Sequence, residues 1–487
     1  MTLQMHREMK AAIRIWAAKV KYLMSKQATL PWTPEQLANS YAGRKKAIYL
    51  NALKVYNTRK LGAKSAKVKM FCKADKIDGA ARKILIDGKP IKARAIQARS
   101  PVYNLAIGQY LKPLESVVYS TYGWCSPTKT PMIVKHYNMR QRAQILREKL
   151  LGFGDPAIIP LDASSFDASI KVEHLEMLHQ FYMICWEQPH DLQRWLSYRL
   201  SNKVTSMHGL KYKTVGKRMS GDFDTAMGNC INMCTIIAAC MHRLRVHKWD
   251  LLNDGDDCLL VIERHDIMKI GDGQCAHLRA ALTNCGITAT PTIVPGDADN
   301  MEHADACRSR PINMGTHWQF VRWPWRAITT MFTTYKHHYT TGLYKILHTM
   351  AICESYANAG VPMLQSYANA AWRSITQLTT DTHASWRSED YSRRAQQQGL
   401  QNLNVKLETI YQPVTTSARL SFAKAYGIEV GEQLAFEWYC DQQITPAHFK
   451  LEFGRLKVPK LVALPAEDDT TVWLDDMYDD DNERWLL

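Results

Sequence analysis

Apolar and polar positions along this chain follow two periods, one helical and one strand-like. Ile13, Trp16, Ala17, Val20, Leu23 and Met24 recur at 3, 4 and 7 spacing, with Lys19, Lys21 and Lys26 mostly off that face. An amphipathic opening helix packed on a core is expected, with docking on a membrane surface as the alternative. Further on, Ile158, Ile159 and Leu161 make a short apolar run that ends at Asp162, the length of a buried strand. Two more runs, Leu251-Leu252 and Leu259 to Ile262, flank "NDGDD", in which Asp254-Gly255 is a tight-turn signal. They read as a hairpin with Asp256 and Asp257 at its tip. Between strand and hairpin, "TAMGNCINMCTIIAAC" opens a long apolar helix and puts Thr225 and Asn229 on one face at its N-terminal end. After Pro324 the pattern is mostly helical, and "ESYANAG" at 354–360 returns as "QSYANAA" at 365–371; two copies are too few for a solenoid. The mixture predicts an α+β protein, and 487 residues predict several subdomains.

Charge adds a direction to this picture. The chain carries a formal +16, but its first 100 residues alone hold 23 Lys+Arg against 5 Asp+Glu, which points to a polyanionic partner. Residues 467–487 reverse the sign with nine acids and one Arg. A solvated tail accounts for them; so does a nucleic-acid mimic lying over the basic surface, anchored by Trp473, Tyr478 and Trp485. The twelve cysteines form no CxxC pair, and Cys230 and Cys234 fall on a helix face, which suits core packing in a reducing compartment and not zinc. No apolar run reaches the roughly 20 residues that span a bilayer, and no signal peptide opens the chain. A soluble protein is expected.

The acids invite chemistry. Carboxylates held close together raise one another's pKa unless a cation screens them. A strand delivering Asp162 beside a hairpin tip carrying Asp256 and Asp257 would offer hard oxygen ligands that suit Mg²⁺, and two such ions serve phosphoryl transfer. Either cluster alone fits a surface turn equally well, and capping accounts for Ser220, Asp222 and Asp224.

The order D-x4-D (Asp162 to Asp167), S-G-x3-T-x3-N (Ser220 to Asn229) and G-D-D (Gly255 to Asp257) resembles palm motifs A, B and C of viral RNA-dependent RNA polymerases. "FCKADKI" (71–77) with "KARAIQARSPVYNLAIGQYLKPLE" (92–115) resembles the basic finger motif F of tombusvirus-like polymerases of positive-strand RNA viruses. "CRSRPI" (307–312) with "FVRWP" (320–324) resembles their motif E, and "GVPMLQS" (360–366) a thumb segment. The likeness runs with gaps from about residue 60 to 370. The chain departs from it at Asp75, at Ala93-Arg94 and at Ala306-Cys307-Arg308, and it has no lysine between Lys269 and Lys336 to act as a motif D general acid.

The resemblance implies a right-hand polymerase fold with fingers, a palm built on an antiparallel sheet, and a mostly helical thumb. Its boundaries would be N-terminal region and fingers 1–157, palm with motif A 158–180, fingers insertion 181–215, palm with motifs B to E 216–318, thumb 319–466 and acidic tail 467–487. It implies template-directed RNA synthesis with Asp162, Asp256 and Asp257 holding two Mg²⁺ ions, Mn²⁺ being able to substitute. Asp167, bonded to Asn229 and helped by Ser220 or Thr225, would select ribose by its 2′-hydroxyl. Lys73, Arg94 and Arg99 would meet the nucleotide, and Lys64, Lys67, Lys69, Lys76, Arg82, Lys83 and Lys92 the RNA. Expected partners are template and product RNA, ribonucleoside triphosphates and a membrane-anchored viral replication protein, at membrane-associated replication sites in the host cytoplasm. A reverse transcriptase would share the metal cage, and a two-metal nuclease would need no basic fingers. A non-catalytic RNA-binding protein would explain the basic front but not the acids.

Overall fold

The computed structural model describes residues 1–73, 94–123, 126–333, 343–378 and 390–449. Lys76, Arg82, Lys83, Lys92 and the acidic tail lie outside the described residues. Helices and small sheets are mixed along the chain, as an α+β fold requires.

Among the described residues nine strands form three sheets. Strands β1 (Val68–Cys72), β2 (Ala95–Arg99), β4 (Ser201–Ser206) and β5 (Lys211–Val215) make one in the order β2-β1-β4-β5. Strands β3 (Pro156–Asp162), β6 (Trp249–Asn253) and β7 (Asp257–Glu263) make the central one, β3-β7-β6, antiparallel throughout. Strands β8 (Ser309–Asn313) and β9 (Trp318–Arg322) form a hairpin.

The central sheet explains its unbroken apolar sequence. Successive side chains leave opposite faces of a strand, and here both faces are covered. Ile159 and Leu161 of β3 and Cys258, Leu260 and Ile262 of β7 enter a large core with helices Leu3–Lys26, Val172–Cys185, Thr225–Arg243 and Ala276–Asn284. Ile158, Leu259 and Val261 enter a second core under the Met139–Leu151 helix and the β8–β9 hairpin. The opening helix buries Met5, Met9, Ile13, Trp16, Ala17 and Val20, and Trp16 meets Phe181 edge-on at 5.4 Å. Its apolar stripe therefore belongs to the core and not to a membrane surface. Beyond Pro324 the described residues are mostly helical, with the longest helices at Leu343–Ala357, Leu364–Thr376, Thr416–Tyr426 and Val430–Gln443. Among the described residues no helix is long and apolar enough to cross a membrane.

Candidate active site

The central sheet brings the acids together by register. Asp162, last residue of β3, is the cross-strand partner of Asp257, first residue of β7. The Ala163 N–H donates to the Asp256 carbonyl at 3.0 Å and pins the end of β3 to the hairpin turn. Within the turn Gly255 sits at φ 104°, a conformation that side chains with a Cβ avoid. Its N–H donates to Asn253 Oδ1 at 2.6 Å, while Asn253 Nδ2 reaches the Cys230 carbonyl at 3.0 Å, so a buried amide fixes the turn to the Thr225–Arg243 helix.

The turn's three aspartates do different work. Asp162 and Asp256 are exposed at the rim, and Asp257 is half-buried. Burial, and next the charges of Asp162, Asp256 and Asp254, push the Asp257 carboxyl up to about 7, against the Cys307 N–H that donates to its Oδ2 at 2.7 Å. Asp254 turns away from this group. It pairs with Lys135, accepts from Arg142 Nη1 at 2.6 Å and from the Cys307 thiol at 3.2 Å. Burial alone would raise its pKa, but Arg142 and Lys135 hold it below the usual carboxylate range. Asp254 is thus a tether for the turn.

A second pair stands nearby. Asp167 lies in the short Phe166–Ser169 helix, entered through Ser165 at φ 51°, and its Oδ1 accepts from Asn229 Nδ2 at 2.7 Å. Burial raises the Asp167 pKa, opposed by Asn229 and by Arg218. Asn229 Oδ1 is buried and accepts no hydrogen bond from the described residues. The Asp167–Asn229 bond is the one the family resemblance implies for this pair. Thr225 and Ser220 are used differently from the expectation. Thr225 Oγ1 donates to the carbonyls of Met219 and Asp222, both at 2.9 Å, and Ser220 Oγ accepts the Gln97 N–H at 3.0 Å. Their hydroxyls stitch the loop at 219–225 to itself and to β2.

Residues 4–446 match the family model described as viral RNA dependent RNA polymerase. The chain belongs to that polymerase family. It is 29% identical over 416 residues to the RNA-directed RNA polymerase of Tobacco necrosis virus (strain A), covering 84% of this chain and 54% of that protein. It is 30% identical over 407 residues to the one from Carnation mottle virus, covering 82% and 50%. For the one from Turnip crinkle virus the figures are 29% over 417 residues, 84% and 50%. The chain spans about half the length of the curated relatives it matches.

Within this member of the polymerase family one basic residue needs correction. Arg99 does not face a nucleotide. Its side chain is fully buried, with Nε on Asp222 Oδ1 at 2.5 Å, Nη1 on the Ala66 carbonyl at 2.6 Å and Nη2 on Asn202 Oδ1 at 2.6 Å. Arg199 bonds both Asp222 and Asp224, at 3.0 and 2.5 Å, and Arg218 and Tyr182 also reach Asp224. This buried cluster joins β2, the loop at 219–224 and the Val172–Cys185 helix. Gly221 allows the close approach: a Cβ there would stand 2.8 Å from Ala98 Cα. Lys73 and Arg94 are exposed and adjacent, the Lys73 N–H donating to the Arg94 carbonyl at 2.7 Å. Lys64 and Lys67 are exposed, and Lys69 is half-buried on β1. Sequence reasoning passed over Lys135, Arg142, Arg218 and the Cys307 N–H. Lys135 and Arg142 act on an acid more than 100 residues away and Cys307 acts through its backbone, so nothing local marks them, while Arg218 meets Asp224 six residues on inside the loop.

Proposed function

We propose that this chain carries out template-directed synthesis of RNA from ribonucleoside triphosphates, with a right-hand arrangement of fingers, palm and thumb around the central sheet. The observation that carries the reading is the Asp167–Asn229 pair standing beside the Asp162/Asp257 register pair. Family membership supports it, and the RNA-directed RNA polymerases named above are its relatives.

The acids fit a divalent cation. Among the described residues no three His, Cys, Asp or Glu side chains converge into a finished cage, but Mg²⁺ is commonly held by one or two carboxylates completed by water and substrate phosphates. Burial is the largest cause of the upward pressure on the Asp257 carboxyl, and the neighbouring charges of Asp162, Asp256 and Asp254, which a cation would relieve, add to it. Asp162 and Asp256 would hold the ions, with Asp257 in support. Bound there, two Mg²⁺ ions would neutralise phosphate charge and favour an attacking 3′-hydroxyl. The chain's own contribution is position: the β3–β7 register, the Gly255 turn and the Asp254 tether hold the carboxylates at one edge. Exposed Lys73 and Arg94 would meet the triphosphate, and Lys64, Lys67 and Lys69 the RNA backbone. A membrane-anchored replication partner at cytoplasmic membranes of the host belongs to the same proposal.

Sugar choice follows from the second pair. With Nδ2 committed to Asp167, Asn229 Oδ1 is left as an acceptor for a ribose hydroxyl, and Asp167 keeps a second oxygen for the same purpose. Asp167→Ala or Asn229→Ala is expected to narrow the preference for ribonucleotides over deoxyribonucleotides by roughly 10- to 150-fold, the equivalent of about 1.5–3 kcal/mol for a hydrogen bond to a charged group. Competitive single-nucleotide incorporation measures this. Discrimination unchanged in both variants would place selection elsewhere.

A further inference from the structure

On the other side of the second core, the Met139–Leu151 helix and the turn of the β8–β9 hairpin enclose a groove of about 810 Å³. Its polar lining is unbalanced. Gln141 Oε1 accepts the Asn138 N–H at 3.0 Å and Asn313 Oδ1 accepts the Gly315 N–H at 2.9 Å. Both amide acceptors are therefore used within the fold, and their Nε2 and Nδ2 donors are left over. Two guanidinium groups join them. Arg140 is exposed and has no ion-pair partner among the described residues. Arg147 meets Asp299 at 2.8 Å, but that carboxylate is 75% exposed, so competition by another anion costs little. Tyr137 and Trp318 add aromatic walls. Among the lining residues the two arginines outnumber the one carboxylate, Asp299, and with the amide donors and the rings they form the complement of a phosphodiester chain with bases beside it.

We propose that this groove is a second RNA-binding site that takes a short single-stranded segment by its phosphates. The proposal rests on the polymerase reading, and it adds a place for RNA outside the carboxylate edge. A five-residue strand covers roughly 17 Å at 3.4 Å per residue. RNA at the 313–318 turn is thus separated from the acids by the length of β8. The near end of that strand follows Cys307, whose N–H holds Asp257. The hairpin connects RNA held at its tip to the carboxylate at its base.

The full chain carrying Arg140→Glu with Arg147→Glu tests this, together with the neutral pair Arg140→Gln and Arg147→Gln. Fluorescence anisotropy with labelled single-stranded RNA across a salt series should show affinity falling about tenfold at low salt. The slope of log K against log salt should shrink by about 1.4, for two phosphate contacts at about 0.7 each. The neutral pair should move both quantities the same way by less. RNA carrying 4-thiouridine should crosslink the unsubstituted chain within 137–147 and 313–318. Single-nucleotide addition on a short primer–template should persist in both variants. Unchanged affinity and slope with no crosslink in those segments would overturn the proposal, and so would equal competition by cytidine monophosphate, which would make the groove a mononucleotide site. Loss of RNA binding and nucleotide addition by the unsubstituted chain would instead overturn the polymerase reading.

Discussion

Replacing Asp256 or Asp162 by asparagine is expected to stop nucleotide addition, by about 10²–10³-fold or more on the scale at which loss of one charge-stabilising group acts, while RNA binding stays nearly intact. Both residues sit exposed at the end of the central sheet, Asp162 fixed by the β3–β7 register and Asp256 by the Ala163 N–H on its carbonyl, and among the described residues no basic side chain pairs with them. Asparagine keeps the shape and removes the charge, so the fold is left alone. Asp254→Asn should behave differently, because that carboxylate is already matched by Lys135 and Arg142 and serves the turn. Mobility-shift and extension assays on the same preparations check this. Appreciable synthesis by either rim variant would sink the assignment.

The second large effect is on stability. Asp224→Ala is expected to cost about 3–5 kcal/mol, the usual result of removing one partner from a buried ion pair. Arg199, Arg218 and Tyr182 all bond this carboxylate, and the Asp224 and Arg218 side chains are fully buried. Losing it strands cationic nitrogens that no solvent reaches. Burial opposes ionisation of Asp222 and Asp224, yet Arg99, Arg199 and Arg218 hold Asp222, and Arg199 and Arg218 hold Asp224, below the usual carboxylate range. Depressed folded-state pKa values give stability that is present above the unfolded value, about 3.9, and lost as pH falls through the folded values. The gap in thermal midpoint between the unsubstituted chain and the variant should therefore be flat from neutral pH down to about 5 and close only in stronger acid. A loss of unfolding free energy below about 1 kcal/mol, or a midpoint gap that changes between about pH 5 and 8, would contradict this account of the cluster.

How legible these features were in the sequence depended on how far apart their parts lie. The β6–β7 hairpin was readable because two apolar runs bracket an Asp-Gly turn, and the start of the helix at Thr225 because a polar loop meets an apolar run there. The Asp167–Asn229 bond spans 62 residues and was reached through family likeness, since helical spacing placed only Thr225 and Asn229 on one face. Arg99 was misread because a count of basic residues records charge and not its counter-ion, which lies 123 positions on at Asp222. The partners of Asp254 were out of reach for the same reason: Lys135 and Arg142 stand 119 and 112 residues before it. Local pattern determined where acids appear; only the packed structure determined which of them remain unpaired.

The most direct measurement is extension of an annealed primer on a heteropolymeric RNA template with Mg²⁺ and either four ribonucleotides or four deoxyribonucleotides. The expected result is a product whose sequence copies the template, made from ribonucleotides and dependent on the divalent cation. No extension under either condition, or equal extension with deoxyribonucleotides, would contradict RNA-directed RNA synthesis at Asp162, Asp256 and Asp257.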